Sequence, residues 1–212
     1  FIKRTKLINS IRNFLNNKEY LEVETPILQP IPGGATARPF ITHHNALDIP
    51  LYLRISDELF LKKLIVGGFE AVYEFSRDFR NEGMDKNHNP EFTILELYVA
   101  YKDYFWMMEL TESLIENVCL EIHDKTKVKF DSITIDFKAP YERISITEAI
   151  IKFTGYDISG KSEIELRSIC KDLSIDIDDS MGEGKLIDAI FGNKCEKNFI
   201  NPTFITDYPK SM

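Results

Sequence analysis

Charged and aromatic side chains alternate along two segments, 73–82 and 92–100, that are separated by a short polar loop. Successive side chains of a strand point to opposite faces of a sheet, so residues two apart share a face. If the two segments pair as a hairpin across the loop at 83–91, burial of Phe75 and Phe79 on one face brings the opposite faces of both strands together. The predicted shared surface contains Arg80, Glu82, Phe92, Glu96 and Tyr98.

This surface has the residue types needed to bind a nucleotide and a cationic substrate. The planar guanidinium of Arg80 suits bidentate contacts with a phosphate or a carboxylate. Phe92 offers a flat ring on which a base can stack, and Glu96 and Tyr98 offer a charge and a hydroxyl to an ammonium group. The alternative is a salt-bridged sheet surface with Arg80 paired to Glu82 or Glu96, because exposed ion pairs are common and weak.

Neighbouring segments must hold these strands in place. Apolar residues recur at helical spacing over 6–18, which predicts an amphipathic helix. Residues 20–25 alternate in polarity and are stopped by a proline, which predicts a strand. Short extended pieces are expected within 38–55. Ser56 is expected to be the N-cap of the next helix, which ends at Gly67.

The second half of the chain has mainly helical patterns. A long helix is predicted over 103–122 and a hairpin over 127–137, and Ser145 is expected to start a helix through a capping box. The remaining predicted elements are helices at 162–173 and 184–197 and a strand at 200–208. These patterns predict one α+β domain over residues 1–212, with a largely antiparallel sheet and a small helical insertion at 145–198.

Composition excludes several classes of protein. The net charge of −8 and the isoelectric point near 5.1 give no basic field of the kind that sequence-independent nucleic-acid binding needs. Three widely spaced cysteines without a CxxC pair indicate free thiols in a reducing compartment, so a cytoplasmic location is expected. Adjacent histidines at 43 and 44 would point to opposite faces of a strand, and no metal ligand is assigned. No apolar run predicts a membrane span.

The motif residues resemble a known family. Phe79–Gly83, His88–Thr93 and Glu96–Tyr98 together resemble the second signature motif of class II aminoacyl-tRNA synthetases, within a region at 72–100. The helix at 6–18 and the strand after it look like the first motif, which lies within 1–45. That resemblance implies a class II catalytic fold, an antiparallel sheet flanked by helices, and a homodimer whose interface includes the first motif.

Further strings look specifically like the lysyl-tRNA synthetase family. They are Ile31–Ala35, Arg38–Phe40, Thr42–Asn45, Leu53–Leu59 and Asn201–Thr206. The resemblance covers nearly the whole chain. It implies a lysine–tRNA ligase that activates lysine with ATP and transfers it to tRNA(Lys).

The resemblance also implies roles for individual residues. Arg80 and Glu82 are the expected catalytic residues, with Arg80 gripping the ATP α-phosphate and the lysine carboxylate. The other residues expected at the ATP are His88, Asn89 and Phe92, with Phe92 stacked on adenine. The residues expected at the lysine are Gly34, Glu58, Arg80, Glu96 and Tyr98, of which Glu96 and Tyr98 read the side-chain ammonium.

Parts of the family pattern are absent from this sequence. The third class II motif, the acidic residues expected to hold Mg²⁺ and the barrel that reads the anticodon are not found, so the chain is expected to be a fragment of the catalytic domain that contacts tRNA only through the full-length protein. Two other functions remain open. One is a relative that passes lysine to a protein, and the other is a synthetase-like module without catalysis.

Overall fold

The computed structural model describes residues 1–212, and their contacts divide the chain into two units, Phe1–Tyr104 and Phe105–Met212. In the first unit the elements in chain order are α1 (Ile2–Asn16), β1 (Leu21–Glu22), β2 (Leu28–Gln29), β3 (Ile41–His44), β4 (Ile49–Leu53), α2 (Glu58–Val66), β5 (Ala71–Phe79) and β6 (Glu91–Val99).

The predicted hairpin is the main β-structure of the first unit. Strands β5 and β6 pair antiparallel along nine residues each, with Glu74 opposite Glu96 and Asp78 opposite Phe92. Strand β1 extends this sheet through a parallel pair with β5. A second sheet has the order β2-β4-β3 and is antiparallel throughout.

Helix α1 lies against the aromatic face of the hairpin. The guanidinium of Arg12 is 5.0 Å from the ring centroid of Phe75, and the Tyr73 hydroxyl donates to Asn16 Oδ1 at 2.9 Å. The helical prediction is confirmed with shifted bounds, since α1 begins and ends earlier than 6–18. The strand predicted over 20–25 is reduced to the two residues of β1.

Burial of the two faces of the hairpin differs from the sequence expectation. Phe75 and Phe79 on the aromatic face are only half-buried, whereas Glu74, Ser76 and Asp78 on the opposite face are at most 2% exposed. Helix α2 contacts both strands on this side of the molecule. The prediction that burial of the aromatic face organises the hairpin is therefore wrong, because the polar face is the more deeply buried one.

The second unit contains most of the helices. Its elements are α3 (Tyr104–His123), β7 (Lys127–Phe130), β8 (Ile133–Asp136), β9 (Glu142–Ser145), α4 (Ile146–Thr154), α5 (Glu163–Asp172), α6 (Glu183–Lys194), a 3₁₀ turn (Glu196–Asn198) and β10 (Thr203–Thr206). The β7–β8 hairpin is confirmed. Strand β10 pairs with β9 in parallel, but four of the six strand pairs are antiparallel, as the largely antiparallel prediction requires.

Helices α4, α5 and α6 enclose a core of their own. Its fully or nearly fully buried members include Ile146, Ile150, Leu166, Leu186 and Ile190. Removal of such side chains from water is the main favourable contribution to folding. The α+β prediction is confirmed, and the three helices lie where the sequence predicts them.

Two helix starts in this unit have matching caps. Ser145 accepts the amide of Glu148 while the Glu148 carboxylate accepts the amide of Ser145, which confirms the predicted capping box. Gly155 ends the helix in a left-handed conformation, with φ of +78°. Ser162 and Glu165 form a second capping box that the sequence analysis did not identify.

The start of α2 differs from the prediction. Asp57, not Ser56, is the N-cap residue, and the Asp57 side chain makes no capping hydrogen bond. The Ser56 hydroxyl instead accepts the amide of Glu58 at 3.1 Å. Every helix is too short or too polar to span a bilayer. The assignment of 1–45, 72–100 and 145–198 to parts of a single domain stays a prediction.

Candidate functional site

Five residues predicted to contact a nucleotide line one cavity. It lies where the β5–β6 hairpin opens into its connecting loop and has a volume of about 220 Å³. Its lining residues are Arg80, Glu82, Gly83, Asn87, His88, Asn89 and Phe92. The sequence analysis therefore selected residues that the fold brings together.

Arg80 is placed to meet an anion. Its guanidinium carbon is 5.1 Å from the ring centroid of Phe92, and its Nε is buried without a hydrogen-bond partner. Glu82 accepts the backbone amide of Arg38 at 3.2 Å, and no ion pair links Arg80 to Glu82 or Glu96. The salt-bridged alternative is therefore wrong. A buried donor without a partner costs free energy that an anionic ligand can recover.

The loop between β5 and β6 is organised around one carboxylate. Asp85 accepts the backbone amides of Asn87 and His88 at 2.7 and 2.8 Å, and its oxygens lie 2.8 and 2.9 Å from the ring Nδ1 of His88. The Asn87 amide and the His88 contacts lower the pKa of Asp85. This turn holds the His88 ring beside the cavity.

Gly34 approaches the start of α2 too closely for any other residue. Its φ is +88°, and an added Cβ would lie 2.8 Å from Ser56 Oγ and 3.1 Å from Glu58 Cβ. Glycine is the residue that tolerates both the positive φ and the contact. The loop containing Gly34 is thereby fixed beside the carboxylate-bearing side chain of Glu58.

A hydrogen bond joins the start of α2 to strand β6, and a second one lies within β6. Ser56 Oγ donates to Glu96 Oε1, and the Tyr98 hydroxyl donates to Glu96 Oε2, both at 3.1 Å. Burial, followed by the nearby charge of Glu96, raises the pKa of Tyr98, so its hydroxyl stays protonated and remains a donor. The Nζ of Lys62 lies 2.6 Å from Glu58 Oε1 and 5.8 Å from the Tyr98 ring centroid.

Three carboxyl groups converge beneath this region. One oxygen each from Asp57, Asp78 and Glu96 lies within 4.8 Å of the other two, a spacing that could hold a cation. Asp57 and Asp78 are 0% exposed, and neither Asp57 oxygen nor Asp78 Oδ2 has a hydrogen-bond partner. Burial, with the charges of Glu96 and Asp78, raises the pKa of Asp57 to about 7.

Asp78 is partly compensated by a buried cation. Burial raises the pKa of Asp78, while Arg54 acts in the opposite direction. Arg54 Nε is 3.2 Å from Asp78 Oδ1, and Arg54 Nη1 is 2.7 Å from Glu74 Oε1. The Glu74 carboxylate also accepts the hydroxyl and amide of Thr25. All members of this ion-pair network except Thr25 are at most 3% exposed.

The sequence analysis missed most of this buried charge. The sequence analysis assigns none of Arg54, Asp57, Glu74 and Asp78 to the site. A signal was present, since Glu74, Ser76 and Asp78 are consecutive on one strand face that continues to Arg80. Asp57 carried no comparable signal, because an acid at a helix start is ordinarily a cap.

Comparisons with known proteins agree with the geometry. The family model described as "tRNA synthetases class II (D, K and N)" matches residues 1–212. The chain is 66% identical to a lysine–tRNA ligase of Christiangramia forsetii and 64% identical to one of Porphyromonas gingivalis, each over the whole chain and 37% of the relative. It is 61% identical to one of Azobacteroides pseudotrichonymphae over 42% of that protein. The chain thus spans about two fifths of these relatives' length.

We predict that Arg54→Met destabilises the chain strongly. The change leaves Glu74 and Asp78 buried without their cation, which should cost about 3–5 kcal/mol of unfolding free energy. Arg77→Met is the matched control on β5, since Arg77 pairs with Glu91 at the surface and should cost at most about 1 kcal/mol. Urea denaturation measures the free energy of unfolding of both variants. Equal losses would show that the buried network stabilises the chain no more than a surface ion pair does.

Proposed function

We propose that this chain, which belongs to the class II tRNA synthetase family, is the amino-acid-activating part of a lysine–tRNA ligase. One observation carries the proposal. One face of the β5–β6 hairpin has a cavity lined by an aromatic ring and a guanidinium at its loop end, and farther along that face Asp78 and Glu96 converge with Asp57 from the start of α2. The names of the relatives support the same activity.

At the nucleotide end, the proposed ligand is ATP. Its adenine stacks on Phe92, and Arg80 binds the α-phosphate through donors that include the unpartnered Nε. Glu82, His88 and Asn89 bound the same cavity. The cationic side chain faces the phosphorus at which charge develops, so it stabilises the transition state more than the ground state.

At the acidic end, the proposed ligand is lysine. Glu58 and the backbone at Gly34 hold the α-amino group, since Gly34 lies so close to the start of α2 that an added Cβ would be 3.1 Å from Glu58 Cβ. Glu96 and Tyr98 bind the side-chain ammonium, with Tyr98 orienting the Glu96 carboxylate. The lysine carboxylate then lies towards Arg80, between the two ends.

The proposed reaction needs position and charge more than covalent chemistry. A lysine carboxylate oxygen attacks the α-phosphorus of ATP, pyrophosphate leaves, and lysyl-adenylate forms. No enzyme side chain is the nucleophile. Arg80 holds the carboxylate and the phosphate together, which replaces a bimolecular encounter by a fixed geometry.

The chain supplies few groups for Mg²⁺. Among the residues lining the nucleotide cavity only Glu82 is a carboxylate, and Mg²⁺ normally takes one or two carboxylates together with substrate phosphates and water. Glu82 would be the one contact from this chain, with further ligands from elsewhere in the protein. Transfer to tRNA(Lys) is proposed for the full-length protein, working in the cytoplasm.

The proposed homodimer uses an apolar surface in the first-motif region at 1–45 and in the β3–β4 turn that follows it. Exposed large apolar side chains are concentrated there, in α1 and in the β2-β4-β3 sheet with its flanking loops. They include Phe1, Ile2, Leu28, Ile31, Ile41 and Leu47, which are 49–108% exposed. Large exposed apolar patches commonly mark protein–protein interfaces, and these side chains are the ones that we propose for this role.

Arg80→Ala should abolish lysine-dependent ATP–pyrophosphate exchange in the full-length protein. Loss of one preorganised charge at the reacting phosphate is expected to lower the rate by about 10²–10³-fold or more. Arg77→Ala on the opposite face of the same strand is the control and should keep its exchange rate. Normal exchange by Arg80→Ala would remove Arg80 from the mechanism.

Glu96→Gln should weaken lysine binding much more than ATP binding. The ammonium loses a charged partner, which is worth about 1.5–3 kcal/mol, or roughly ten- to hundredfold in affinity. Calorimetry with lysine and with a non-hydrolysable ATP analogue measures the two separately. Glu91→Gln, exposed on the same strand, is the control. A comparable loss for both ligands contradicts the assignment.

Ile41→Lys should shift the full-length protein from dimer towards monomer. A lysine placed in a buried apolar interface loses the favourable burial of isoleucine, so the dimer should weaken by at least about tenfold. Sedimentation over a concentration series measures the shift. Ile164→Lys introduces the same change at an exposed position of α5, and an identical effect of both variants would argue against the proposed surface.

A further inference from the structure

We infer that Asp57 and Asp78 form, with Glu96, a buried acid cluster that gives up a proton when the ammonium of lysine binds. The inference rests on the proposed function and deepens it. It adds two specificity residues to the site and makes lysine binding a proton-linked event.

The three carboxyl groups lie close together but differ in how deeply they are buried. Their oxygens lie within 4.8 Å of one another. Glu96 is half-buried and is the member that a ligand can reach, whereas Asp57 and Asp78 are 0% exposed and lie behind it. Like charges at this separation and away from water can all stay ionised only beside a cation. Without a cation, one of the carboxyl groups binds a proton.

The buried carboxyl group of Asp57 has no hydrogen-bond partner. It occupies the N-cap position of α2, yet its side chain makes no cap, and Ser56 accepts the Glu58 amide instead. Both carboxylate oxygens are buried without a hydrogen-bond partner. A buried acceptor in this state costs free energy, so a group that supplies positive charge nearby is favoured.

The acid cluster has fewer positively charged neighbours than carboxyl groups. Arg54 is divided between Glu74 and Asp78, and Lys62 is held by Glu58 at 2.6 Å. No cation pairs with Asp57. Asp57 faces Glu74, Asp78, Glu96 and Tyr98, Asp78 also faces Arg54 and Arg80, and Tyr98 also faces Glu58.

In the absence of lysine, a proton bound by the cluster reduces its negative charge. The pKa of Asp57 is raised to about 7 by burial and by the charges of Glu96 and Asp78, so the cluster binds a proton below neutral pH. An ammonium placed on Glu96 favours the ionised cluster and expels that proton. Lysine affinity should therefore fall as pH falls below about 7.

An ammonium suits this cluster better than a divalent metal does. Mg²⁺ retains several waters in most protein sites, whereas the two deeper carboxyls are closed to solvent. Each oxygen of Glu96 already accepts a neutral hydroxyl, from Ser56 and from Tyr98. Such an arrangement orients the Glu96 carboxylate for a hydrogen-bonding cation.

The experiment is calorimetric titration of the full-length protein with lysine between pH 5.5 and about 8, in pairs of buffers with different ionisation enthalpies. For the wild type, we expect release of up to one proton per lysine bound and an affinity that falls by up to about tenfold per pH unit below neutral pH. For Asp57→Asn, we expect nearly no proton release and a flat profile.

Matched variants separate this result from misfolding. Asp188→Asn makes the same change at an exposed position of α6 and should behave like the wild type. Binding of a non-hydrolysable ATP analogue should be unchanged in Asp57→Asn. Asp78→Asn, the second variant, should also reduce proton release, because it removes a neighbouring charge that holds the proton.

Each contrary outcome has its own meaning. Lysine binding by the wild type without proton release overturns the inference while leaving the proposed function intact, and so does equal proton release by Asp57→Asn. Tight binding of Mn²⁺ without nucleotide that is lost in Asp57→Asn would assign the cluster to a metal and also overturn it. Absence of lysine binding at every pH would overturn both proposals.

Discussion

The Arg54–Glu74–Asp78 network is the constraint on which the first unit depends. Its charged atoms approach to 2.7 and 3.2 Å with almost no solvent contact. Ion pairs removed from water gain little net stability over a well-packed apolar replacement, but they tolerate no loss of a partner. The network therefore fixes the relative positions of the residues after β4 and the middle of β5, and it does so through geometry more than through energy.

That constraint explains how one sheet face can serve the two ligands proposed for it. Arg54 also donates from Nε to the carbonyl of Arg77 and from Nη1 to that of Thr25, so strand β5, which leads directly into Arg80, and the segment at Thr25 are held by the same side chain. Preorganised groups lose little entropy when a substrate arrives. The nucleotide cavity and the acids around Glu96 are thus kept in register by a residue that touches neither ligand in the proposed scheme.

Periodicity and motif strings predicted the hairpin, the positions of the helices and the residues that line the cavity, because these depend on local spacing. They did not predict which hairpin face is buried. That outcome depends on α2 packing across the charged face and on Arg54 reaching it from another segment, which no local pattern encodes. Asp57 was missed for the opposite reason: its local context has an ordinary structural explanation, and only three-dimensional contacts reveal that the cap is not made.

The parallel pairing of β9 with β10 has a consequence for how the second unit tolerates change. Strands β9 and β10 pair along four residues, from Glu142 with Thr203 to Ser145 with Thr206, so the chain needs to travel only about 13 Å from the end of one to the start of the other. A crossover of a dozen residues would suffice, yet the chain inserts α4, α5 and α6 with their own core. The distance between the two strands thus sets no requirement for α4, α5 and α6, whose sequences are constrained mainly by the core that they share.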